Sequence, residues 1–86
     1  MASIEEIANA AARIGQAAAN AESRTNACAD TLRTQGSQLA ATVRGSRTGE
    51  NAVRQVSQAE RSARECASRL LTLQNTIDAF IQDLTK

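Results

Sequence analysis

No proline interrupts this 86-residue chain, and its one dense cluster of helix breakers, Gly45-Ser46-Arg47-Thr48-Gly49, falls at the midpoint. That punctuation predicts two long helices joined by one turn. Ala and Gln are plentiful and β-branched residues are scattered, which favours helix over strand. Ser3-Ile4-Glu5-Glu6 has the spacing of a capping box, with Ser3 as N-cap and Glu6 reaching back. Gly45 can adopt the left-handed conformation that closes a helix. Thr48 or Ser46 can cap the next helix, with Glu50 placed to favour its dipole. The reading is a single helical hairpin over residues 1–86: a helix over about 4–44, a turn at 45–48 and a helix over about 49–84. At 1.5 Å per residue each arm is about 55–60 Å long, and so short a turn makes the arms antiparallel neighbours.

Periodicity specifies how the arms meet. In the second helix Ala52, Val56, Ala59, Ala63, Cys66, Leu70, Leu73, Ile77, Phe80 and Leu84 alternate steps of four and three. The first helix carries a matching series: Ile4, Ile7, Ala11, Ile14, Ala18, Ala21, Thr25, Cys28, Leu32, Gln35, Leu39, Thr42. A mean spacing of 3.5 is the seam of a supercoiled pair. Folded about residue 47, the series complement each other in size, Ala18 near Ile77 and Ala21 near Leu73, as constant seam volume requires. Level and staggered pairings are both open.

A chain this short buries only about 60% of the surface it exposes when unfolded. Small domains of this kind draw further stability from a disulfide, a metal or a partner. With no His and two Cys, a metal centre lacks soft ligands, and no cofactor site is expected. Cys28 and Cys66 sit at mirror positions about residue 47. They predict either a disulfide clamp, stabilising by about 3–4 kcal/mol, or two reduced cysteines serving as small core residues.

Beside the expected seam, the first helix has a second small-residue stripe: Ala8, Ala12, Gly15, Ala19, Ala29, Gly36, Ala40 and Val43, broken by Glu22, Asn26 and Arg33. Leu71 and Ile81 stand outside the seam of the second helix. Glycine inside a helix costs about 1 kcal/mol relative to Ala, so Gly15 and Gly36, three heptads apart, mark close approach by another helix. The expected partner interface therefore comprises these stripe residues with Leu71 and Ile81, and the expected assembly is a four-helix bundle.

Other function classes fit poorly. Net charge is +1, with nine Arg and one Lys, and there are no basic stripes or stacking aromatics for nucleic acid. Several charges form i,i+4 pairs, such as Glu50–Arg54, Glu60–Arg64 and Glu65–Arg69, the pattern of a solvated face. The longest apolar runs are short alanine stretches, too short to span a bilayer. Two narrow helices enclose no pocket for acid–base catalysis. The glycine cluster lacks the Lys-Ser/Thr ending of a phosphate loop. The chain opens acidic, without the apolar core of a signal peptide, so any export is expected to leave the leaderless chain uncut.

The turn, Ser46-Arg47-Thr48-Gly49-Glu50-Asn51-Ala52, sits between two long helices in a chain under 100 residues. In this it resembles the WXG-motif family of small type VII secretion proteins. Gly45, Arg47 and Gly49 are the turn-motif positions. Arg47 stands where that family usually has Trp, and its C-terminal Tyr-x-x-x-Asp/Glu export signal has no Tyr here, Phe80 being followed four residues later by Leu84. The resemblance implies a homo- or heterodimeric four-helix bundle. It further implies a substrate of that secretion route, or a targeting partner for a larger secreted protein, cytoplasmic before export. A secretion-needle-like structural subunit and a cytosolic adaptor are the alternatives.

Overall fold

The computed structural model describes residues Met1–Lys86 as two helices, α1 (Ile4–Thr42) and α2 (Arg47–Leu84), with no strand. They pack along their lengths into a rod of 63 × 19 × 13 Å. One helix is about 10–12 Å across, so the rod is two helices wide and one helix thick. α1 starts as expected, Ser3 Oγ accepting from the Glu6 N–H at 3.1 Å. α1 ends at Thr42, two residues earlier than expected, and α2 begins at Arg47, also two earlier than expected. Ser46 rather than Thr48 is the N-cap, its Oγ accepting from the Gly49 N–H at 3.1 Å. Gly45 alone has a positive φ, +83°, letting the chain reverse within the Val43–Ser46 turn closed by the Ser46 N–H on the Val43 carbonyl at 3.0 Å.

The seam keeps the expected period but differs in phase. The inward positions of α1 are Ala8, Ala11, Gly15, Ala18, Glu22, Thr25, Ala29, Leu32, Gly36, Leu39 and Val43. Those of α2 are Val53, Val56, Glu60, Ala63, Ala67, Leu70, Gln74, Ile77, Ile81 and Leu84. Half of the expected seam stays: Ala11, Ala18, Thr25, Leu32 and Leu39 against Val56, Ala63, Leu70, Ile77 and Leu84. The other half moves on by one residue, a rotation of about 100°. Ile14, Cys28, Gln35 and Thr42, with Ala59, Cys66, Leu73 and Phe80, are exposed instead.

Close approach explains the phase. A Cβ added at Gly15 would meet Ile77 Cγ2 at 3.4 Å, and one at Gly36 would meet Val56 Cγ1 at 3.1 Å. Branched side chains of α2 therefore rest directly on the bare backbone of α1. The four buried residues are alanines: Ala11, Ala18, Ala29 and Ala67. Ala29 and Ala67, one residue beyond each cysteine, occupy the contact line at that level. One pair of polar seam positions is matched across the helices, Gln74 Nε2 donating to Glu22 Oε1 at 2.8 Å. At the turn Val43 covers Gly49, where an added Cβ would stand 2.8 Å from Val43 Cγ2.

These contacts separate three glycine substitutions. Gly15→Ala adds helix propensity at ordinary contact distance and raises stability by about 0.5–1 kcal/mol. Gly36→Ala gains less, because Val56 must yield. Gly49→Ala collides with Val43 and lowers stability by about 1–3 kcal/mol. Urea unfolding followed by helical circular dichroism gives this order.

Candidate functional site: an uncovered apolar face

The half-seam turned out of the contact line does not scatter over the surface. In each helix it lies at the same rotational offset from the seam. In two right-handed helices running antiparallel, increasing residue number turns in opposite senses from one viewpoint, so equal offsets place both series on the same side of the rod. That side carries Ile7, Ile14, Ala21 and Cys28 from α1, continued toward the turn by Gln35 and Thr42, and Ala59, Cys66, Leu73 and Phe80 from α2. The largest surface hollow, about 600 Å³, joins them at the open end, lined by Ile7, Ala10, Ala11 and Ile14 with Phe80 across from them and rimmed by Glu6, Asn9 and Arg13. Ile14 is 57% exposed, Phe80 46% and Leu73 41%.

The opposite side is polar. Arg64 donates to Asp30 Oδ1 at 2.7 Å and to Asn26 Oδ1 at 3.5 Å, and pairs with Glu60 at 3.7 Å. The hydrogen bond from Arg64 holds the Asp30 carboxyl below its usual range, with the Arg64 and Arg33 charges acting in the same direction against desolvation. The same hydrogen bond raises the Arg64 pKa. Leu71, with Met1 and Ile4 at the N-terminus, is a large apolar residue exposed outside the apolar face.

The expected site residues fall into three groups. Ala8, Gly15, Ala29, Gly36, Val43 and Ile81, read as a surface for another chain, are consumed by the hairpin's own seam. Ala19 and Ala40 are half-buried on the polar side and Ala12 and Leu71 are exposed. Cys28 and Cys66 form no clamp: both are free, exposed thiols, because the rotation that brings Ala29 and Ala67 together carries them onto the outer face. The turn positions Gly45, Arg47 and Gly49 serve the fold, reversing the chain, opening α2 and receiving Val43. Missed by the periodicity is the face of Ile14, Leu73 and Phe80. A signal for it exists: both helices carry three apolar heptad positions where two suffice for one seam.

No three His, Cys, Asp or Glu side chains stand close enough to hold a metal ion, and no helix is long and apolar enough to cross a membrane. Comparison with protein-family models, curated proteins and solved structures finds no match.

Two measurements check this geometry. Asp30, with its lowered folded pKa, adds stability that is present above its unfolded value near 3.8 and is lost as pH falls through the folded value. Arg64, with its raised folded pKa, adds stability present at all lower pH and lost only in strong alkali. Asp30→Asn therefore flattens the acid limb of a stability–pH curve below about pH 4, by a small amount because both partners are solvated. In the folded, reduced protein both thiols react with a thiol-specific disulfide reagent without denaturant.

Proposed function

We propose that this chain is a non-enzymatic interaction module, a hairpin that completes a four-helix bundle by covering its apolar face with a protein partner. The observation that carries this reading is its surface. A compact monomer of 9.1 kDa exposes about 4,900 Å², whereas this chain exposes 6397 Å². With four alanines as its whole buried core, the lone hairpin has little hydrophobic stabilisation of its own. The uncovered stripe is where a partner adds most.

The three apolar heptad positions agree with this role. A helix with apolar a and e positions packs within its hairpin, and a further apolar d position faces a second layer. Together with the turn between two long helices, this supports the likeness to small type VII secretion proteins. In that reading the chain is a substrate of the route, or the targeting partner of a larger secreted protein, and works by binding.

Sedimentation velocity in reducing buffer tests the interaction. The chain, alone or mixed with the product of an adjacent gene, runs as a complex. The double variant Leu73→Ser/Phe80→Ser stays helical but falls to the hairpin's own mass, a loss of at least tenfold in association. A monomer at high concentration that also ignores such products contradicts the reading. Export is tested by following an epitope-tagged chain in its native host: it reaches the medium, and inactivating the host's type VII secretion ATPase retains it in the cell.

A further inference from the structure

We infer that the hairpin is a redox switch: a disulfide between Cys28 and Cys66 turns both helices onto a second seam, which buries Ile14, Leu73 and Phe80. That this closes a docking face rests on the interaction reading above, whereas the switch itself rests on the hairpin's own residues. The chain carries two complete seams. The one in use runs through Gly15, Ala29 and Gly36 against Val53, Ala67 and Ile81. The other runs through Ile14, Cys28 and Gln35 against Ala59, Cys66 and Leu73. Both share Ala11, Ala18, Leu32, Val56, Ile77 and Leu84.

Passing from one seam to the other needs no sliding. Contacts across the present seam join Glu22 to Gln74, Asp30 to Arg64 and Gly36 to Val56. Their midpoints along the chain are residues 48, 47 and 46, so Cys28 and Cys66, with midpoint 47, already stand level. Half of each line is shared and half moves by one residue, so each helix turns about 50°, half the 100° between neighbours. Helices about 8–10 Å apart hold residues at the side of the pair beyond the roughly 7 Å between Cα atoms that a disulfide spans. With a Cα radius of about 2.3 Å, the two turns together close that gap by about 3 Å. The residues between the helices absorb the change, Gly45 already lying in the left-handed region.

Each arrangement has what the other lacks. The present seam gains close approach over Gly15 and Gly36. It also places Glu22, Glu60 and Gln74 on the contact line and buries only four alanines. The second seam holds no charged residue and takes in the large apolar side chains that now face solvent. The reduced hairpin visits it as a minor state, and the bridge traps it. What turns outward is Gly, Ala, Glu22, Glu60 and Gln74, with Val43, Val53 and Ile81 toward the ends. No continuous apolar stripe remains.

The oxidant is a low-molecular-weight disulfide such as oxidised glutathione. One cysteine thiolate attacks it, forming a mixed disulfide and releasing one glutathione thiolate. The other cysteine thiolate attacks the protein sulfur of that mixed disulfide, and the second glutathione leaves. The protein gives up two electrons and two protons, and the oxidised glutathione becomes two thiols. A dithiol reductant reverses the exchange.

The test is oxidation of the dilute chain by oxidised glutathione, read by peptide mass mapping, circular dichroism and nuclear magnetic resonance. Expected is an internal Cys28–Cys66 bridge at unchanged helicity. In the bridged protein the Gly15 and Gly36 Hα and the Ala29 and Ala67 methyls open to a paramagnetic solvent probe, and dithiothreitol covers them again. Cys28→Ser/Cys66→Ser keeps them covered in either buffer. Bridging also lowers association, of the chain with itself or with the product of an adjacent gene, at least tenfold in sedimentation velocity. Mixed or intermolecular disulfides without an internal bridge overturn the inference, as does a bridged protein whose Gly15 and Gly36 stay covered. A bridged chain that associates as tightly as the reduced one overturns the closing of the face. A reduced chain that associates with nothing, while its seam still turns on bridging, overturns the interaction reading and leaves the switch standing.

Discussion

Two branched side chains of α2, Val56 and Ile77, resting on the bare backbone of Gly36 and Gly15, govern how everything else in the rod is arranged. Close approach between long helices multiplies dispersion contacts along the whole seam, and only Gly and Ala leave room for it. That requirement draws Ala11, Ala18, Ala29 and Ala67 to the contact line and turns larger residues away. The matched polar pair of Glu22 and Gln74 fixes register where alanines alone would slide. Gly45 and Gly49 complete the arrangement by letting the chain reverse and Val43 close over the turn.

The same requirement creates the site. A seam of small residues is too poor in buried apolar area to carry a domain, and it displaces the residues that could supply more. Ile14, Leu73 and Phe80 end on one outer side because both helices are rotated by the same offset. The polar cluster of Asn26, Asp30, Glu60 and Arg64 occupies the other side. Fold and interaction surface are thus two consequences of one packing choice.

Much of this is legible in the order of residues alone. The hairpin, its antiparallel arms, the Ser3 cap and the left-handed Gly45 follow from breakers, caps and a 3.5-residue period. The phase does not follow. Positions such as Ile14 and Gly15, or Cys66 and Ala67, are neighbours in sequence and both fit a three–four alternation with the shared residues Ala11, Ala18, Ile77 and Leu84. Ranking by hydrophobicity selects Ile14, Leu73 and Phe80 for the inside. The competing factor, backbone proximity through Gly15 and Gly36, has no hydrophobic signature. Periodicity misplaces the cysteines for the same reason, since their mirror symmetry about the turn holds equally for an inner and an outer line.

The central claim is that the glycine–alanine line, not the cysteine line, is the seam. Proton–proton nuclear Overhauser contacts in the reduced, isotope-labelled protein measure it most directly. Contacts are expected from the Gly15 Hα to the Ile77 methyl and from the Gly36 Hα to the Val56 methyls, with Ala29 and Ala67 methyls protected from a paramagnetic solvent probe. Protected Cys28 and Cys66 side chains in mutual contact, with Gly15 and Gly36 open to the probe, would contradict it.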